Sequence, residues 1–350
     1  MIASYTFQGS TRSTAAWPRQ VLKASWRALR IAAMACAAVA VSLGCAHLVH
    51  NVALPNRLQD FFTLTLSILV EATPFVILGS LVAGLVQAFV SEHTMLHILP
   101  RSPLGRRLVL SVTGSIFPVC ECGNVPIARS LLAKGLQPSE AITFLLAAPI
   151  LNPLTFITTW EAFRFDRSMV VIRMGGAFLI ANFIGWLLHH HPHQVELIVP
   201  GAIVRADIHD DHQHAFKYKK DRFMQLFVQE FWSMFTMLSV GAFVAAGSQS
   251  FIPRSVLLSV GGHPVWSVLA MLALAFIVSL CANVDAFFAL AYSGTFTFGA
   301  LAAFLLFGPM IDIKTLLLMK TTFRAKALLL IASLCLLCSL AIGLAVNYAL

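Results

Sequence analysis

FPVCECGNVPIA, residues 117–128, breaks an almost uncharged apolar stretch with two prolines, a glycine, an asparagine and a Cys-Glu-Cys triplet. Pro118 and Pro126 each lack a backbone donor and disfavour a helix through them. What such a break means depends on the solvent around it. Soluble domains carry roughly 25% charged and about 45–50% apolar residues. This 350-residue chain is 58% hydrophobic and 11% charged, with mean hydropathy +0.82. A soluble core cannot absorb that excess, so the chain belongs in a bilayer. Its +9 net charge falls in short clusters between apolar runs. That is the pattern of positive-inside sorting, not of a nucleic-acid surface.

Runs long enough to cross lie at roughly 27–50, 60–90, 107–132, 139–160, 168–189, 225–249, 264–291, 297–318 and 326–349. They predict an all-α, polytopic transmembrane protein of about nine spans. Residues 1–26 read as a basic cytoplasmic tail and 27–50 as the first transmembrane helix. A cleaved leader competes there, but Ser42 stands where a lipoprotein cleavage box would carry a larger aliphatic. Simple alternation puts the N-terminus inside and the C-terminus outside. Arg101, Arg106, Arg107, Arg164, Arg167, Arg173, Arg254, Lys314, Lys320, Arg324 and Lys326 then fall on the cytoplasmic side. A polar linker, 190–224, separates two halves, 60–189 and 225–349. It is placed outside by the same counting.

The halves resemble each other. C-G-N-V-P at 122–126 is followed by F-L-L at 144–146 and P-I-L-N at 149–152. C-A-N-V-D at 281–285 is followed by F-L-L at 304–306 and P-M-I-D at 309–312. Cys122 to Cys281 is 159 residues, Asn152 to Asp312 is 160, and Glu71 to Glu230 is again 159. The expected architecture is therefore an internal structural repeat with broken helices at Pro118, Gly123, Pro126, Pro149, Pro153 and Pro309. Transporters place their sites where paired helices are interrupted near the midplane. Irregular backbone at that depth must be buried in protein or line a wet cavity. Four whole spans per half would make the repeats parallel, and a re-entrant break would make them inverted.

Cys120, Cys122 and Cys281 are the candidate substrate ligands, since thiolates suit Cu(I), Zn and trivalent metalloids. Asn124, Asn283 and Asn152 join them as substrate contacts or as repair for backbone groups freed by the prolines. Glu71, Glu121, Glu230, Asp285 and Asp312 lie within or at the ends of spans, and a carboxylate at that depth is a functional candidate, naturally for proton coupling. His189, His190, His191, His193, His209, His212 and His214 could bind a zinc-like ion, although they show no structural-zinc spacing. No P-loop, G-x-S-x-G elbow or H-E-x-x-H helix is present, so neither an ATP motor nor an enzyme is expected, and no cofactor is implied.

FPVCECGNVPIARSLLAKG followed by AITFLLAAPILNP resembles the bacterial predicted-permease family of YraQ-like proteins and ArsP organoarsenical efflux permeases. Pro118, Cys120, Cys122, Gly123, Pro126, Phe144, Leu145, Pro149, Asn152 and Pro153 carry the likeness, which covers roughly residues 60–345. The resemblance implies a multi-pass permease of the bacterial inner membrane, in some members exporting trivalent methylated or aromatic arsenicals. Two positions depart from it. Glu121 stands where the arsenical exporters carry Ser, and Asp285 stands where the first half has Pro126. The expected partners are lipid, a small inorganic or organometalloid substrate and protons, with no nucleic acid. The competing expectation is a zinc-like transporter or a membrane-embedded metal sensor built on the His-rich linker.

Overall fold

The computed structural model describes residues 56–89, 99–100, 102–113, 120–163, 167–191, 194–200, 215–251 and 263–349. The expected tail 1–26, the first span 27–50, Pro118, His193, His209, His212 and His214 lie outside the described residues. Everything described is helix or connection, apart from one isolated bridge between Ile198 and Phe323.

The first half runs α1 (Asn56–Phe89), α2 (Pro103–Thr113), α3 (Glu121–Ala133), α4 (Pro138–Ala147), α5 (Pro153–Ala162) and α6 (Arg167–His189). The second runs α7 (Ala215–Phe251), α8 (Pro264–Val278), α9 (Asp285–Leu290), α10 (Phe298–Met310), α11 (Ile313–Met319) and α12 (Ala325–Ala349). The order of lengths is the same: a long helix, a broken pair, a second broken pair, a long helix. Among the described residues, five helical stretches are long and apolar enough to cross a bilayer: 58–89, 167–189, 223–247, 298–319 and 325–349.

The contacts fix directions. Phe61 packs against Phe243 with ring centroids 5.9 Å apart, while Gly84 faces Phe223, so α1 and α7 are antiparallel. Gly185 of α6 sits on Thr143 of α4, and Arg173 reaches Thr159 of α5 at 2.8 Å. Thus α4 and α5 together make one interrupted crossing that α6 retraces. The interruption is local chemistry. Pro149 sits in the turn, Pro153 opens α5, and Asn152 caps α5 by accepting from the Leu154 N–H at 3.0 Å. In the second half Asp312 caps α11 through the Thr315 N–H at 2.6 Å.

The runs expected at 107–132 and 264–291 turn back instead of crossing. Ser267 bonds Thr297 at 3.1 Å and Phe276 stacks on Phe307 at 6.5 Å, so α8 and α10 run parallel. The chain descends along α8, breaks at Ser279, and returns through α9 to its starting level. Ser279 ends α8 in the left-handed region at φ 51, a conformation that costs a non-glycine residue energy and marks a constrained site. In the first half Arg106 lies 3.7 Å from Glu140. Both ends of the α2–α3 hairpin thereby meet the start of α4.

Pro126 and Gly123 do not break the chain. Both lie inside α3. Pro126 removes only the N–H that would bond the Cys122 carbonyl, and buried surroundings hold the helix. Gly123 is where α1 and α3 cross: a Cβ at Gly79 would collide with the Gly123 backbone. Gly79→Val should therefore cost at least ~1–3 kcal/mol through overpacking. The check is the thermal midpoint in detergent beside Gly175→Ala, where a Cβ meets nothing within 4 Å. Equal midpoints would show that the α1–α3 crossing yields freely.

One end of the bundle gathers several connections. His189 Nδ1 lies 3.1 Å from Gln137 Oε1, Ser139 donates to Gln194, and Gln194 donates to the His189 carbonyl. Val199 N–H donates to the Thr322 carbonyl and Arg324 N–H to that of Leu197. The end of α6 thus lies beside the start of α12.

Candidate functional site

Cys120 caps α3 in extended backbone, φ −73 and ψ 175, and Cys122 lies in the first turn. In a regular helix these two thiols, about 200° apart around the axis, would face away from each other. The passage from extended cap to helix lets them converge, and they hydrogen-bond each other. Cys281, just past the Ser279 break of the other half, hydrogen-bonds Cys120. All three are buried. Among the described residues, Cys120, Glu121 and Cys122 form the group of three ligand atoms close enough to share an ion, within 4.8 Å of one another.

Charge gathers at the same place. Lys314 Nζ sits 2.8 Å from Glu121 Oε1 and 3.6 Å from Asp312 Oδ2, and donates to the Ser279 carbonyl at 2.8 Å. The Lys314–Glu121 contact is an ion pair aligned off the hydrogen-bonding directions. Neither Glu121 oxygen has a hydrogen-bond partner, although the residue is 2% exposed. Glu71 of α1 hydrogen-bonds Cys281. A cavity with room for about one water is lined by Ile68, Glu71, Ala72, Phe75, Cys120, Glu121, Cys281 and Lys314. Three carboxyl groups thus gather around one ammonium. Soft sulfur donors and hard oxygen donors share one small space, so it can take a thiophilic cation or an electrophile that carries hydroxyl groups.

The other hairpin tip makes the reciprocal contact. Asp285 at the start of α9 receives Arg173 at 2.8 and 2.7 Å. Arg173 also donates to Thr159 and to the Ala282 carbonyl at 3.1 Å. Thr155 donates to Asn283 at 3.2 Å. Each hairpin tip therefore docks into the broken crossing of the other half.

Of the sequence-derived candidates, Cys120, Cys122, Cys281, Glu121, Asp312 and Glu71 come together. Asp285 does not join them, because Arg173 saturates it. Glu230 is paired with Arg129 at 3.2 Å between α7 and α3. Asn152 serves as a cap, Asn283 tethers the second tip, and Asn124 is buried within α3. His189 and His190 bond Gln137 and the Trp186 carbonyl and gather no ion cage. Lys314 and Arg173, expected to flank the membrane, are instead fully enclosed, at 4% and 0% exposure. The signal was their position inside apolar runs, where an ionisable residue is a functional candidate by default.

A family model described as a predicted permease, ArsP_1, matches residues 57–348. Bacillus subtilis UPF0718 protein YcgR is 38% identical over 267 residues, covering 75% of this chain and 88% of that protein. A Streptococcus mutans protein named "Putative two-component membrane permease complex subunit" is 36% identical over 282 residues, covering 79% and 91%. Escherichia coli UPF0718 protein YraQ is 22% identical over 263 residues, covering 72% and 70%. No solved structure matches the chain.

Proposed function

The chain belongs to the ArsP_1 predicted-permease family, and from that premise we propose that it exports a small thiophilic metal or metalloid species, trivalent organoarsenicals included. The observation that carries this reading is the meeting of Cys120 and Cys122 with Cys281, from opposite halves, beside Glu121 and Lys314. An arsenic(III) hydroxide would load by ligand exchange: each As–OH and thiol S–H give one As–S bond and one water. The reverse exchange releases it. Because the thiols come from both halves, any relative movement of the halves changes the coordination, as alternating access requires.

Two features support an inverted duplication. Equivalent helices α1 and α7 are antiparallel. With one re-entrant hairpin, each half also keeps three crossings, an odd number. The end carrying Arg106, Arg107, Lys134, Lys320, Arg324 and Lys326 reads as cytoplasmic, against Arg57 and Arg167 at the other. The described ends of the linker, 190–191 and 215–224, then lie inside, not outside as whole-span counting has it. Localisation is the bacterial inner membrane, with a proton gradient as the drive.

The test is growth of a sensitised bacterial host on methylarsenite, arsenite, antimonite, zinc, copper and nickel, followed by flux in sealed vesicles with and without a pH gradient. Wild type should protect against a soft trivalent species, and Cys120→Ser/Cys122→Ser should lose that protection. Protection against zinc alone, indifferent to the double substitution, would sink the thiol reading and favour the His linker.

A further inference from the structure

Half of one long helix is built differently from the other half. On α1, Asp60, Thr63, Ser67 and Glu71 follow one another at steps of 3, 4 and 4 residues, and all four are exposed. That spacing puts them on one face. Beyond Glu71 the same face continues as Pro74, Leu78 and Leu85, also exposed. The face therefore turns from polar to apolar at Glu71, where the thiol cavity adjoins it.

Depth excludes an ordinary interfacial turn. The apolar stretch 223–247 of α7 lies antiparallel to α1, with Phe223 against Gly84 and with Phe243 and Gly247 against Phe61. The membrane core along α1 thus runs from about residue 61 to about residue 84, which puts Glu71 near mid-depth. Thr63 returns its hydroxyl to the Gln59 carbonyl at 2.8 Å and would tolerate lipid. A carboxylate cannot be satisfied that way. Pro74 also leaves the Val70 carbonyl without its helical donor at the same level. Inside the cavity, the buried Glu121 carboxylate has an oxygen with no partner.

We propose that the Asp60–Thr63–Ser67–Glu71 face is a water-filled half-channel that joins the non-cytoplasmic surface to the thiol site, with Glu71 as its inner carboxylate. It suits hydrated cations and hydroxylated electrophiles, and it stops at Glu71, beyond which Cys120 and Cys281 are buried. The assignment rests on the site proposed above, and the orientation of α1 sets its side.

The experiment is thiol accessibility in intact cells. Thr63→Cys, Ser67→Cys, Val70→Cys and Leu78→Cys are each exposed to a charged, membrane-impermeant methanethiosulfonate reagent and read against the native cysteine background. A thiol in hydrocarbon does not ionise, so Ser67→Cys should react at least about tenfold faster than Val70→Cys and Leu78→Cys. Labelling at 63 but not 67, equal rates at 67 and 78, or labelling only in inverted vesicles would each overturn the half-channel. Labelling needs no cargo. A resistance panel that fails while Ser67→Cys labels would therefore remove the cargo reading and leave the path standing.

Discussion

Asp285→Ala is expected to cost roughly 3–5 kcal/mol of stability, because it strands a buried guanidinium. Arg173 is fully enclosed and spends two hydrogen bonds, at 2.8 and 2.7 Å, on that one carboxylate. Its Nε already lacks a partner, so the lost bonds have no replacement nearby. The reciprocal Arg173→Met strands the carboxylate at similar cost. Removing both charges with Arg173→Met/Asp285→Leu should recover most of the loss, since an apolar pair of like volume needs no desolvation. Thermal midpoints of the two singles and the double, measured in detergent, form the cycle. Additive losses would mean that Arg173 and Asp285 act separately, and the docking of the second hairpin tip on α6 would have to rest on Thr155 and Asn283 instead.

The largest expected effect on transport belongs to Lys314. Lys314→Met removes the cation that faces Glu121 at 2.8 Å and Asp312 at 3.6 Å, and it also frees the Ser279 carbonyl. Two buried carboxylates would then repel each other in a low-dielectric space. The expected loss of folded stability is again ~3–5 kcal/mol. Flux should fall to background, because the hairpin tip carrying Cys120 and Cys122 is anchored to α11 through this contact. Lys314→Met/Glu121→Gln separates anchoring from transport. Quenching the stranded charge should restore the thermal midpoint, while flux stays lost if the ion pair itself takes part in the cycle. Flux that returns together with stability would reduce the pair to a structural tie.

The bilayer setting was readable from composition, and the breaks were readable from chemistry. Pro149, Asn152, Pro153 and Asp312 interrupt helices by rules that act within a few residues, a missing donor or a side chain that caps. The chemical character of the site was also local, since Cys120, Glu121 and Cys122 are neighbours in the chain. Pro126 and Gly123 mark the limit of such rules. They should weaken α3, yet it persists, because close packing of Gly123 on α1 and full burial outweigh the local preference.

What hydropathy cannot contain is direction. The run 264–291 is equally apolar whether it crosses or turns back, and only the parallel contact of α8 with α10 distinguishes the two. Partners distant in sequence are equally invisible. Arg173 and Asp285 are 112 residues apart, and Lys314 lies 193 positions beyond Glu121. Arg173 and Lys314 look, in their own runs, like charges at a membrane edge. Sequence by itself determined the solvent, most of the helices and the Cys-Glu-Cys grouping, because those depend on residue type and near neighbours. The re-entrant hairpins, the pairing of each tip with the other half and the burial of its charges were decided by tertiary structure alone, because an ion at membrane depth is stable only beside a partner that the fold delivers.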